Sequence, residues 1–76
     1  MKQDHYVFNI AKLDGETFDG KPRFVHYCAI EKPKHDFSNS AELLSFVAQL
    51  RKAFAVLGEF KISVTLWTFR GETIDV

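Results

Sequence analysis

His26 and Cys28 are the two residues of the chain whose types and spacing come nearest to a reactive site. Both lie in the segment FVHYCAIE (24–31), which has the composition of a β-strand, and residues two apart on a strand share a face with Cα atoms roughly 6.5–7 Å apart. A cysteine nucleophile needs a base within hydrogen-bond reach, and a zinc site needs three or four ligands. Only His5, His35 and scattered carboxylates remain to complete either site, so we interpret His26 and Cys28 as buried structural residues.

The other polar clusters also fit structural roles. Asp14, Glu16 and Asp19 share one turn-rich segment, but their spacing lacks the alternating oxygen ligands and the distal glutamate of a calcium loop. We interpret them as solvated turn carboxylates that could contact a basic partner. No serine has a neighbouring histidine and aspartate in a legible triad, and no glycine-rich phosphate loop occurs. The sequence therefore predicts no catalytic residue, no metal site and no cofactor, and a protein that is not an enzyme.

Composition predicts one packed domain spanning residues 1–76. With 46% hydrophobic and 14% aromatic residues, the 76-residue chain is too apolar to be disordered and too short for a second core. Ten basic and ten acidic residues cancel, which removes the broad positive field that binding to nucleic acid or to an anionic membrane relies on. The single cysteine, the polar start of the chain and the absence of a long apolar run together predict a cytoplasmic, non-membrane protein.

The elements that must position these residues follow from hydrophobic periodicity. Alternation predicts strands over 5–13, 23–31 and 59–69, and a short fourth strand is expected within 70–76. The segment SNSAELLSFVAQLRKAFAVLG (38–58) predicts a helix, with Asn39 as its cap. The helix presents one apolar stripe, which comprises Leu43, Phe46, Val47, Leu50, Phe54 and Leu57.

These elements predict an α+β fold of order β-β-α-β, in which one helix packs on one face of a mostly antiparallel sheet of three or four strands. Strand order 2-1-3 makes every pair antiparallel, whereas order 1-2-3 would include one parallel pair. The Gly-Glu-Thr-x-Asp wording of residues 15–19 returns at 71–75. Both copies follow a strand, so shared turn chemistry and two similar chain reversals are expected.

One helix can cover only one face of the sheet. Strict alternation places on the helix side Tyr6, Phe8, Ile10, Phe24, His26, Cys28, Ile30, Phe60, Ile62, Val64 and Leu66. The opposite side then shows Val7, Ala11, Val25, Tyr27, Ala29, Trp67 and Phe69. A contiguous apolar face of this kind marks an interaction site, and tyrosine and tryptophan are enriched at binding hot spots.

We therefore predict a non-enzymatic protein-interaction module whose partner-binding residues are Val25, Tyr27, Trp67 and Phe69. It would act as a small regulator or inhibitor, of the kind often found in phages and mobile elements, that docks its aromatic sheet face or a sheet edge on another protein. A second copy of the chain is one candidate partner, because a domain this small gains stability by pairing.

The alternative prediction is a single-stranded nucleic-acid-binding domain. Lys32, Lys34 and His35 cluster in one loop and Arg23 flanks the other, while aromatic side chains on an open sheet could stack on bases, namely Tyr27, Trp67 and Phe69. The zero net charge disfavours this alternative, and so does the lack of the glycine-aromatic pattern of RNA-recognition strands.

Overall fold

The elements follow one another in the order β-β-α-β-β. A computed structural model describes residues 3–76. Its elements are β1 (His5–Glu16), β2 (Pro22–Pro33), a single 3₁₀ turn (Lys34–Asp36), α1 (Ser40–Ala55), β3 (Phe60–Trp67) and β4 (Thr73–Asp75). The four strands form one sheet of order β2-β1-β3-β4, and all neighbouring strands are antiparallel. The α+β class, the order 2-1-3 and the short fourth strand are therefore confirmed, and the order 1-2-3 is wrong.

Helix α1 begins at a capping box. The side-chain oxygen of Asn39 accepts a hydrogen bond from the backbone N–H of Glu42 (3.0 Å), and the Glu42 carboxylate accepts one from the N–H of Ser38 (2.8 Å). These bonds satisfy donors that the first helical turn leaves without partners. The helix ends at Ala55, so Leu57 lies beyond its last turn and is 61% exposed. The expectation that Leu57 belongs to the core stripe is wrong.

The core lies between α1 and the helix-facing side of β1. Phe8 is fully buried and packs with Leu43 and Val47 of the helix. The Phe8 ring also lies 4.9 Å from the ring of Phe46 and meets Phe37 edge-on at 6.1 Å. Partly buried side chains surround this cluster, and they include Tyr6, Ile30, Leu50, Ile62 and Val64.

A β-bulge interrupts the alternation of β2. Ile10 of β1 lies opposite Cys28, but the next residue, Ala11, lies opposite His26, so Tyr27 is an extra residue in β2. One extra residue moves every side chain that precedes it to the other face of the sheet. Cys28 therefore shares the face of Ile10, while His26 shares the opposite face with Ala11. The prediction that His26 and Cys28 lie on one face is wrong, and so is the prediction that both are buried, because His26 is exposed and Cys28 is only partly buried.

The bulge also changes the side on which two predicted interface residues lie. The Tyr27 ring lies 5.3 Å from the ring of Phe60 and 6.1 Å from that of Phe54 in α1, so Tyr27 is on the helix side. Val25 lies opposite Lys12, which in turn lies opposite Phe60, so Val25 is on the helix side as well. The prediction that both residues face away from the helix is wrong.

The face away from the helix, called here the open face, differs in composition from the predicted one, because the bulge exchanges residues of β2 between the two sides. Phe24 and His26 lie on this face, contrary to expectation, and the Lys61 ammonium nitrogen lies 4.6 Å from the centre of the Phe24 ring. Polar residues occupy much of its middle, where Asn9, Ser63, Thr65 and Glu31 flank the buried Val7. The open face is thus not one continuous apolar surface.

The two hairpin turns have the same loop structure. They are TFDGK (17–21) and TFRGE (68–72). In each, the threonine N–H donates to the carbonyl of the fifth residue (2.7 and 2.9 Å), the glycine N–H donates to the threonine carbonyl (2.9 Å in both), and the fifth N–H donates to the threonine hydroxyl oxygen (3.1 and 3.2 Å). Gly20 and Gly71 have φ of 84° and 85°, as a three-residue hairpin loop requires. The two reversals are similar, as expected, but the expectation that residues 15–19 and 71–75 share turn chemistry is wrong. Gly15 and Glu16 belong to β1 and Thr73–Asp75 form β4, so the shared wording of the turns is Thr-Phe-x-Gly.

Helix α1 covers only part of the length of the sheet. Its 16 residues span about 24 Å, whereas the 12-residue strands β1 and β2 span about 40 Å. The molecule measures 43 × 25 × 16 Å. The helix contacts β2 as far as Tyr27, and the β1–β2 hairpin extends beyond it. The two turns lie at opposite ends of the sheet, because β1 ends at the first turn and begins beside Trp67, which precedes the second.

Candidate functional site

Among residues 3–76, more large apolar side chains are exposed than buried. Five hydrophobic residues form the buried set, whereas ten large hydrophobic residues are exposed. Singly exposed apolar residues are normal on a protein surface, so their clustering decides whether they matter. Two clusters form, one at each end of the sheet and on opposite faces.

The first cluster, called here the helix-end patch, consists of Val25, Tyr27, Phe54 and Phe60 together with Leu57, whose backbone N–H donates to the Phe54 carbonyl (2.9 Å). The rings of Phe54 and Phe60 lie 5.0 Å apart, and Tyr27 meets both edge-on. The helix ends here, and Phe54 and Phe60 remain only partly buried. Tyr27 is 51% exposed, Leu57 61% and Val25 39%. The patch is largely apolar, partly aromatic and fixed on two strands and a helix, with the exposed Lys12 of β1 between Val25 and Phe60.

The second cluster, called here the end groove, lies on the open face beside the β3–β4 turn. It has a volume of about 460 Å³, and its lining includes His5, Glu31, Trp67, Phe69 and Arg70. His5 and Trp67 lie opposite each other on β1 and β3, with rings stacked at 6.3 Å and only 11° from parallel. The Phe69 N–H donates to the carboxylate of Asp4 (2.8 Å), which ties the turn to the start of β1.

The four predicted partner-binding residues divide between these two clusters. Val25 and Tyr27 belong to the helix-end patch, and Trp67 and Phe69 belong to the end groove. The two pairs lie on opposite faces and near opposite ends of the sheet. The structure therefore replaces the expected single surface with two smaller ones.

The residues of the nucleic-acid alternative do not form one basic surface. Arg23 lies near the β1–β2 turn, where it donates to the Asp14 carboxylate at 3.2 Å, whereas Lys34 and His35 follow the far end of β2. Lys32 points to the helix side, with its ammonium nitrogen 5.3 Å from the centre of the Phe46 ring. Because Tyr27 also lies on the helix side, the three aromatic residues expected to stack on bases do not share a platform.

The histidine, cysteine and carboxylate side chains that the sequence singled out do not come together as a metal site. Among residues 3–76, no three side chains of histidine, cysteine, aspartate and glutamate are grouped so that they could hold a metal ion. Two of the three turn carboxylates have basic neighbours, since Asp14 pairs with Arg23 and Asp19 lies 3.7 Å from Lys21. The Thr17 hydroxyl donates to Asp19 and lowers the pKa of that carboxyl. These groups stabilise a hairpin turn.

The long outer edge of β2 carries features that discourage strand addition. Pro22 and Pro33 bound the strand, and the bulge at Tyr27 interrupts it. Prolines and bulges on an edge strand hinder pairing with another chain, because they remove or misplace the amide hydrogens that a new strand would need. The side-chain surfaces are therefore better candidates for docking than this edge.

The sequence did not predict that Phe18 is exposed or that Phe54 and Phe60 form part of a candidate binding surface. Phe18 is the first loop residue of the β1–β2 turn and is completely exposed, and Phe69 holds the equivalent position in the β3–β4 turn, where it is 60% exposed. The Thr-Phe-x-Gly wording was the available signal. The roles of Phe54 and Phe60 depend on where the helix ends, and it ends at Ala55, earlier than the Gly58 at which the sequence predicted its close.

No protein-family model, curated protein or solved structure matches the chain. Within residues 3–76, α1 lacks the length and apolar character that a membrane crossing requires. The helix-end patch and the end groove are therefore the features from which a function can be inferred.

Proposed function

We propose that the protein is a non-enzymatic protein-interaction module, a small cytoplasmic regulator or inhibitor that docks its helix-end patch on another protein. A second copy of the chain is one such partner. The observation that carries this proposal is the excess of exposed over buried large apolar residues within residues 3–76, ten against five, together with the contact of the half-exposed Tyr27 ring with the Phe54–Phe60 pair at the end of the helix.

Docking would stabilise the complex chiefly by removing this apolar surface from water. Burial contributes about 25 cal/mol per Å² of apolar area, and a stable interface covers about 800 Å² on each partner. That area is about one seventh of the 5730 Å² surface of the chain, so a single partner could cover the patch and its rim. Tyr27 fits the centre of such an interface, because an aromatic ring held by two others loses little side-chain entropy on binding.

A small chain that occupies a partner's surface acts by occlusion. It would compete with whatever else that surface binds, and it needs no catalytic group of its own. The lone free Cys28 is compatible with the reducing cytoplasm, where a disulfide is not required for stability.

The test compares two exposed leucines. Leu57 belongs to the helix-end patch and is 61% exposed, whereas Leu44 lies elsewhere on α1 and is 65% exposed. Sedimentation equilibrium of the wild type, Leu57→Ser and Leu44→Ser measures self-association. If the wild type associates, we expect Leu57→Ser to abolish association and Leu44→Ser to leave it intact.

A photo-crosslinking amino acid at each of the same two positions extends the test to other partners. In cells that express the chain naturally, position 57 should give one dominant protein adduct that position 44 does not give. Identical adduct patterns at the two positions, or self-association that is lost equally in both serine variants, would refute docking through the patch.

A further inference from the structure

We infer that the end groove binds a cationic side chain, lysine or arginine, that the partner protein presents, and that Arg70 is the chain's own occupant of part of this site. The inference rests on the proposed function, since it assigns a chemistry to the partner. It concerns a different surface from the helix-end patch, so the two can fail separately.

The aromatic lining supplies the first reason. Trp67 and Phe69 expose 40% and 60% of their surfaces in the groove, and His5 extends the Trp67 ring as a nearly parallel stack. The face of an aromatic ring carries negative electrostatic potential and attracts ammonium and guanidinium groups, most strongly in tryptophan. Each such contact at an exposed site increases affinity roughly two- to five-fold.

A carboxylate supplies the second reason. Glu31 lies on β2 opposite Val7, so its side chain is on the open face and lines the same groove as Trp67. Within residues 3–76, no lysine, arginine or histidine nitrogen lies within ion-pair distance of Glu31. A carboxylate beside aromatic rings attracts a cation and repels an anion.

The chain itself places a cation on this lining. The guanidinium carbon of Arg70 lies 5.5 Å from the centre of the Phe69 ring, within the distance at which such contacts are favourable. The face of the Phe69 ring can therefore accept a guanidinium group. A partner's cation that entered the groove would meet Arg70 as a like charge, so Arg70 should weaken its binding.

The positive charge of Arg70 could instead attract an anion into the groove. Two observations favour the cation. The guanidinium group lies over Phe69, and two carboxylates adjoin the same turn, Glu31 in the groove and Asp4 at the Phe69 amide. The two cases predict opposite effects of removing Arg70.

Trp67 is the only tryptophan in the chain, so its fluorescence reports on the groove directly. The purified protein is titrated at low salt with the capped tripeptide Ac-Gly-Arg-Gly-NH₂ and with its citrulline analogue, which has nearly the same shape but no charge. We expect a saturable emission change with the arginine peptide and at least about ten-fold weaker binding of the citrulline peptide. A lysine peptide and its norleucine analogue should differ in the same direction.

Two substitutions then test the assigned roles. Glu31→Gln should weaken binding of the arginine peptide roughly two- to five-fold, and Arg70→Gln should strengthen it by a similar factor. Phe18→Ser is the control. Phe18 is the counterpart of Phe69 in the opposite turn, far from the groove, so this substitution should leave binding unchanged.

Several outcomes would overturn the inference. They are an absence of any response to the cationic peptides, equal binding of the charged and neutral peptides, and weaker binding in Arg70→Gln. Tighter binding of Ac-Gly-Asp-Gly-NH₂ or of a short oligothymidylate would instead assign the groove to an anion. None of these results alters the comparison of Leu57 with Leu44, on which the docking proposal depends.

Discussion

Leu43 and Leu57 offer a matched test of where the core ends. Both belong to the apolar stripe that the sequence predicts, but Leu43 is 5% exposed against Phe8, whereas Leu57 is 61% exposed beyond the end of α1. The same substitution to alanine should therefore have different consequences at the two positions.

The expected cost of Leu43→Ala follows from the atoms removed. Replacing leucine with alanine removes about three carbon groups worth about 0.8 kcal/mol each, or roughly 2.4 kcal/mol, and the cavity left beside Phe8 raises the loss to about 3–4 kcal/mol. Leu57 has only about two fifths of its surface buried, so Leu57→Ala should cost about 1 kcal/mol or less. A chain of this length has a total stability of roughly 4–11 kcal/mol, so the first change consumes a large share of it.

The assay is urea unfolding followed by far-ultraviolet circular dichroism, at protein concentrations low enough to exclude self-association. Thermal unfolding gives a second measure, because about 1 kcal/mol shifts the midpoint of a domain of this size by about 4–8 °C. We therefore expect a drop of about 12–30 °C for Leu43→Ala and less than about 8 °C for Leu57→Ala. Equal losses at the two positions would refute the helix end at Ala55 and the placement of Leu57 in an exposed patch.

Three further substitutions test the cap and the turns. Asn39→Ala should cost about 1 kcal/mol of unfolding free energy, because the first helical turn loses a hydrogen-bond acceptor, and an unchanged urea midpoint would contradict the capping box. Gly71→Ala should cost about 1–2 kcal/mol, since φ is 85° there, and Gly71→Asn should cost less; equal stability in all three proteins would contradict the left-handed loop. Phe18→Ser should change stability by less than about 0.5 kcal/mol, because the side chain is completely exposed, and a larger loss in thermal unfolding would show that Phe18 packs on the chain.

The fold class was predictable because its determinants are local. The cap at Asn39, the apolar stripe of the helix and the alternation of β3 each occupy a short segment, and short connections leave few ways to join the elements. The strand order followed from these constraints. The helix end did not, because Val56 and Leu57 continue the apolar pattern beyond Ala55 and only tertiary packing decides where helical hydrogen bonding stops.

The composition of the candidate surfaces was harder to predict because it depends on one inserted residue. In β2 the segment 24–30 is apolar or aromatic at nearly every position. The sequence therefore does not show which of its side chains face the helix and which face away. The Phe54 and Phe60 rings, which are distant in sequence, meet Tyr27 on the helix side. Trp67 was identified correctly as exposed because β3 alternates without interruption, whereas Phe69, predicted to continue that strand, is exposed because it lies in the β3–β4 turn.

The two hairpin loops have the same pattern of hydrogen bonds and lie at opposite ends of the sheet. Each loop is held by the same hydrogen bonds among its own five residues, and the second is tied in addition to Asp4 through the Phe69 N–H. A guest residue placed at the second position of one loop, where Phe18 and Phe69 stand, therefore has a matched position in the other loop. With the loops at opposite ends of a 43 Å molecule, the chain is a ready-made spacer that displays two guests facing away from each other.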